Sequence, residues 1–263
     1  MRIFHNYLKD NCILYIMEHY ICNYNIYKET IVYDFNLTNG GIGDYIKFFM
    51  IILKYCMDGN IRFYHKINNI KIEKYIKLKY DIMDITQEQL SNLDNFIVKT
   101  PYDYYDKDEY NCNIYLNEVF YFDDIIKKNV SNILSFLPNK YTSIHLRLGD
   151  NFLETDNQFI ACKNDVRKFS EKKIHEIMDK NIDNIIFFCD NNNYKLEIKK
   201  KYNNIIITKA QIGHTSLLNT TENQILDAIT ELYILSNSEE IYGNRSGFSL
   251  MASKFKDIQY FNF

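Results

Sequence analysis

The chain has 263 residues, 46% of them apolar and 16% aromatic, which suffices for one large or two ordinary domains with real cores and excludes a disordered protein. Its formal net charge of -3 argues against a dedicated nucleic-acid binder, which would carry a basic surface stripe. The six cysteines, at 12, 22, 56, 112, 162 and 189, form no CxxC pair and no Cys/His cluster at ligand spacing, so they read as buried free thiols of a reducing compartment.

Residues 1–30 have mixed polarity and read as a peripheral helix and linker. The short apolar run from Cys12 to Met17 is preceded by Lys9 and Asp10 and followed by Glu18, a poor signal peptide. No window approaches the run of about 18 apolar residues that a spanning helix needs. A cytoplasmic protein is the expectation, with peripheral membrane contact left open. Ile31 to Phe35 reads as a strand, the turn Thr38 to Asp44 follows, and a helix is expected from about Tyr45 to Met57 with Asp44 as its cap. Ile61 to His65 and Phe96 to Lys99 are further strand candidates, with a mixed stretch over 66–94 between them. The Tyr-, Asp- and Asn-rich segment 102–120 reads as a surface connection, and a helix is expected over Asp123 to Phe136. Beyond it strands (142–147, 184–189, 204–208, 240–242, 258–262) alternate with helices (171–180, 193–202, 222–236, 247–254). Such alternation implies a mainly parallel sheet covered on both faces. The expected division is a Rossmann-like domain over 1–130 and a second over 131–263.

Composition makes the rare residues informative. Glycine occurs only at 40, 41, 43, 59, 149, 213, 243 and 247, and arginine only at 2, 62, 147, 167 and 245. Six of the glycines and two of the arginines fall in three segments. The first, Gly40-Gly41-Ile42-Gly43-Asp44, joins an expected strand to a helix, where free N–H groups and the helix dipole favour an anion. It is no Walker A loop, since no Gly-Lys-Ser/Thr follows, and Ile46 breaks the dinucleotide fingerprint. The second, His145-Leu146-Arg147-Leu148-Gly149-Asp150, ends a strand at the carboxyl edge of the sheet, where open α/β sheets bind ligands. His145 and Arg147 share a face there, and a planar two-pronged guanidinium suits a diphosphate in a chain that otherwise uses lysine. A buried Arg–Asp pair holding the strand end is the competing reading. The third, Tyr242 to Ser249, places Arg245, Ser246, Gly247, Phe248 and Ser249 at a helix start that could cradle a phosphate or could be ordinary capping by Ser246. Asp190, after the strand over 185–189, could bind a base or ribose hydroxyl. The acid pairs at 123–124 and 239–240 resemble no Asp-x-Asp metal site, and neither a metal nor a cofactor is expected.

These motifs in this order, Gly-Gly-x-Gly near the start, His-x-Arg-x-Gly-Asp in the middle and Ser-x-Phe-Ser near the end, resemble the α-1,2-fucosyltransferase-like superfamily, which includes the α-1,6- and protein O-fucosyltransferases. The resemblance implies a GT-B fold, two Rossmann-like domains facing a cleft, and inverting, metal-independent transfer of fucose from GDP-fucose to a glycan hydroxyl. It implies that Arg147 contacts the donor diphosphate, that Ser246, Phe248 and Ser249 begin the phosphate-binding helix, and that Asp190 lies near the nucleotide. Three features depart from it. Leu148 stands where many members have a second arginine, Leu250 and Met251 stand where tryptophans are usual, and Gly-Gly-Ile-Gly-Asp equally resembles heptosyltransferase-like GT-B enzymes. A heptose or hexose donor, or a non-catalytic protein on the same scaffold, are therefore the alternatives. The expected donor set is Gly40, Gly41, Gly43, Asp44, His145, Arg147, Gly149, Asp190, Arg245, Ser246, Gly247, Phe248 and Ser249. Arg147 is also expected to stabilise the leaving diphosphate, with Glu154, or else Asp150, as the base that takes the acceptor's proton.

Overall fold

The computed structural model describes residues 16–104, 112–149, 170–180, 184–217, 219–244 and 246–263; Asp150, Glu154 and Arg245 lie outside the described residues. A helix over 16–22 (α1) precedes the first strand. The first sheet comprises β1 (Thr30–Tyr33), β2 (Arg62–Lys66), β4 (Asp84–Ile85) and β5 (Ile97–Lys99), all parallel in the order β4-β2-β1-β5. The second comprises β7 (Thr142–Leu146), β8 (Ile185–Cys189), β9 (Ile206–Ile207), β10 (Glu240–Gly243) and β11 (Gln259–Asn262), all parallel in the order β11-β10-β7-β8-β9. In each sheet the first strand of the half lies inside, and the chain runs outward from it in both directions, so each has a switch point beside that strand. The burial of the strands follows from this. β1, β7 and β8 are buried at every residue, while the edge strand β5 leaves Ile97 and Val98 exposed, as expected where only inner strands are covered on both faces.

The helices that matter for the site lie between the sheets. α2 (Ile42–Gly59) buries a broad apolar face, including Ile42, Tyr45, Phe48, Phe49, Met50 and Leu53, and leaves Tyr55 and Asp58 exposed. A face that wide needs more than one partner; α2 packs on its own sheet and on α9 (Gly247–Ser253) from the second half. α5 (Asp124–Ile133) and α8 (Glu222–Leu235) pack against each other in the same layer. Asn129 of α5 donates to Asp227 Oδ1 (2.9 Å) and Thr230 Oγ1 (3.1 Å) of α8, so α5, which spans the expected division near residue 130, is bonded to the half that follows it. One apolar core runs through this shared layer from Met17 to Ile258. The outer face of the second sheet has its own core beneath α6 (Glu171–Met178) and α7 (Asn192–Lys201), including Ile144, Leu146 and Leu148. The outer face of the first is capped by α3 (Gln87–Ser91), where Val32, Ile85 and Leu90 meet.

The expected strands and helices after residue 120 all appear, most within a residue or two of their ends. Two differences stand earlier in the chain. α2 begins at Ile42 with Gly41 as N-cap, and Asp44 caps it from inside the first turn, its Oδ2 accepting from Gly41 N at 3.0 Å. β3 (Ile76–Leu78), within the mixed stretch, and β6 (Phe120–Phe122), which begins at the end of the surface connection, pair antiparallel. Among the described residues no helix is long and apolar enough to cross a membrane.

Candidate functional site

The switch point of the second sheet lies between β7 and β10, where His145 is level with Gly243 on one side and with Phe188 of β8 on the other. The alternation of β7 turns His145 toward the shared helix layer, where its ring lies 5.4 Å from that of Phe248 at 32°. Arg147 is the first residue beyond the strand. Its Nη1 donates to Asp190 Oδ2 at 2.6 Å, and both side chains are nearly buried, 12% and 10% exposed. The same carboxylate accepts from Leu148 N at 2.8 Å and Gly149 N at 3.2 Å. Gly149 has φ +114°, a conformation side chains disfavour, and this turn is what directs both N–H groups to one acid. The Cys189 thiol, pushed well above its usual range by burial and by the neighbouring Asp190 charge, stays protonated and approaches Asp190 Oδ1 at 3.7 Å.

Arginine and the acid that faces it therefore come from the ends of adjacent strands, β7 and β8. This is the competing Arg–Asp reading in part: the pair exists, with Asp190 as the partner. It also fixes one prong of the guanidinium, which is how a charge is held in place at low exposure. The opposite wall belongs to α9. Ser246, its N-cap, is 4% exposed and makes no side-chain capping bond. Ser249 is fully buried, its Oγ near Ser246 O (3.4 Å) and Tyr260 OH (3.3 Å). At Gly247 a Cβ would meet nothing within 4 Å.

The glycine-rich turn reaches this same place from the first half. A Cβ on Gly43 would lie 2.6 Å from the backbone of Gly247 and of Phe248. Gly40 O accepts from Ser216 Oγ at 3.0 Å and Thr215 Oγ1 at 3.3 Å, and a Cβ on Gly41 would lie 2.9 Å from His214 Nε2. Gly40, Gly41, Gly43 and Asp44 thus meet Gly247 and Phe248 where the halves join, with His145 against Phe248, while Arg147, Gly149 and Asp190 cluster at the ends of β7 and β8, and Ser246 and Ser249 stand at the start of α9. Four contributing residues were not singled out from the sequence. His214, Thr215 and Ser216 follow Gly213, one of the two glycines outside the three segments, and that scarce residue was their only signal. Asn244, beside Gly243, bonds to the main chain of Arg147 on both sides, accepting from its N at 2.7 Å and donating to its O at 2.8 Å. Among the described residues no group of three His, Cys, Asp or Glu side chains could hold a metal ion.

No family model matches the sequence, and no curated protein matches it. Solved structures do resemble the fold. The NodZ α-1,6-fucosyltransferase co-crystallised with GDP superposes with a TM-score of 0.54 at 10% identity, covering 86% of this chain and 92% of its own. NodZ from Bradyrhizobium gives 0.51 at 11% identity, covering 86% and 93%. A variant of Arabidopsis thaliana FUT1 in complex with GDP gives 0.50 at 11%, covering 89% and 69%. The fold is that of the GT-B fucosyltransferases. At these identities the likeness is one of architecture, and the chemistry rests on the residues at the switch point.

Proposed function

We propose that the protein is a nucleotide-sugar-dependent glycosyltransferase, with GDP-fucose as the donor and a glycan hydroxyl as the acceptor. The observation that carries this reading is Arg147, held by Asp190 at the switch point of the second sheet. Similar structures were determined with GDP, which supports a nucleoside diphosphate as the ligand. In this reading Arg147 and His145 meet the diphosphate, and Asp190 orients the guanidinium instead of touching the nucleotide. Gly40, Gly41, Gly43 and Asp44 build the wall that joins the half up to residue 130, the acceptor side, to the donor half. Leu148 is 2% exposed and packs into the outer core, so no second cation stands there, and Arg245 is the candidate to supply it.

The proposed reaction is a single inverting displacement without a metal. The acceptor hydroxyl attacks the anomeric carbon as its bond to the diphosphate breaks, and a carboxylate, Glu154 or Asp150, takes the hydroxyl proton. Stabilising the charge that develops on the leaving diphosphate falls to Arg147 and nearby N–H donors, each contributing on the order of 3 kcal/mol to the barrier.

Thermal-shift and equilibrium titrations with GDP, UDP and ADP, followed by release of GDP from GDP-fucose without acceptor, test the reading. GDP should bind best, and Arg147→Ala and Arg147→Lys should each weaken it by about tenfold or more, because lysine cannot restore a two-pronged contact. Preference for UDP or ADP would shift the donor to a hexose or heptose, the alternative that Gly-Gly-Ile-Gly-Asp and Leu148 favour. Binding of none of the three would overturn the enzyme reading.

A further inference from the structure

We infer that Asn244 is a positioning residue: its side-chain amide holds the Arg147 main chain, and thereby the guanidinium, at the floor of the crevice. β7 and β10 pair in register up to His145 and Gly243. The main-chain ladder ends there, so on the β10 side the Arg147 N–H and C=O meet a side chain and not a strand. That side chain is Asn244. Its Oδ1 accepts from Arg147 N at 2.7 Å and its Nδ2 donates to Arg147 O at 2.8 Å, across 97 positions of sequence. A carboxamide is the side chain whose one edge carries an acceptor and a donor, matching the two polar groups of a peptide unit. The amide therefore extends the parallel ladder by one step without a strand.

Three consequences converge on Arg147. Its main chain is held on both polar groups one residue past β7. The turn at Gly149 then begins from a fixed point, which is what allows Leu148 N and Gly149 N to reach Asp190 together with Nη1 of Arg147. Asn244 is itself 3% exposed, so the bonds are shielded from water on its side and their loss should be costly. Asp190 fixes the guanidinium from the side of β8 and Asn244 fixes the main chain from the side of β10. Together they fix Arg147 at the switch point from both sides.

The inference deepens the proposed nucleotide-binding role of Arg147 and rests on it for its affinity readout, while a second readout stands apart from any ligand. In hydrogen exchange, Asn244→Ala should accelerate the Arg147, Leu148 and Gly149 amides by about tenfold or more relative to Ile144, because the opening is local. In GDP titrations, Asn244→Ala should weaken binding by about tenfold in the native background and by less than about twofold in Arg147→Ala, since residues acting through one another are non-additive. Asn244→Ser, too short to reach both groups, serves where the alanine variant does not fold and should show the same pattern. Equal losses in the two backgrounds, or an Arg147 amide that exchanges no faster relative to Ile144, would overturn the positioning role. Absence of GDP, UDP and ADP binding in the native protein sinks the nucleotide reading alone, and the exchange pattern then decides the clamp by itself.

Discussion

The glycines of the first motif and Gly247 of the last look alike in sequence and do opposite things in space. Gly43 is pressed against the backbone of Gly247 and Phe248, Gly41 against His214, and Gly40 O is bonded by Thr215 and Ser216. Gly247, on the other side of the same contact, has open space where its side chain would be. A missing Cβ lets a backbone approach something; whether that is another backbone or a ligand depends on which elements the fold brings opposite. Here the first motif joins the halves, and Gly247 of the last keeps a free face.

Substitutions at these glycines and at the contacts around them can break or sharpen that contrast. The largest effect is expected from Gly43→Ala. Its Cβ would fall 2.6 Å from main-chain atoms that cannot swing aside, and forced separation of α2 from α9 should cost about 3 kcal/mol, read as a lower urea midpoint. Next is Asn129→Ala, on the other join between the halves, which strips a donor from the buried Asp227 and Thr230 and should cost about 2 kcal/mol in the same measurement. Asp44→Ala removes the acceptor for Gly41 N and should cost about 1 kcal/mol; a loss as large as that of Gly43→Ala would mean the turn is held by its acid and not by close packing. The smallest change in stability is expected from Gly247→Ala, a helix position with room for a methyl group, which should be neutral or stabilising by about 0.5 kcal/mol. Its effect should appear instead as weaker GDP binding. A Gly247→Ala variant that loses stability, or that binds GDP as the native protein does, removes the distinction between the two kinds of glycine.

The C-terminal half was the more legible in sequence because each element there satisfies a local rule. β8 (Ile-Ile-Phe-Phe-Cys) is a continuous apolar run suited to an inner strand, Thr221 and Gln224 form a capping box at the start of α8, and Asn191 caps α7. β3 and β6 were not legible, since three-residue strands in Lys- and Tyr-rich surroundings carry no period and exist because they pair with each other across more than 40 residues. At the site, Arg147 and the strand exit were readable from residue type and position at a sheet edge. The partner of Arg147 was not: an acid nearby in sequence and an acid at the end of the neighbouring strand are equivalent until strand order is known. Asn244 was unreadable for the same reason, because an asparagine after glycine suggests a turn, whereas its bonds run to a residue 97 positions away.

The enclosure of α2 by α9 also governs how the molecule can be made. α2 carries Phe48, Phe49, Met50 and Leu53 into a core that includes Met251, Ala252 and Phe255, about 200 residues further on. At a synthesis rate of roughly 5–20 residues per second, that partner follows α2 by about 10–40 s. During that interval the helix has its own sheet but not its second wall, and its apolar surface is open to other nascent chains and to chaperones. A protein joined this way gains a fixed crevice in the finished state at the expense of a long exposure while it is being built.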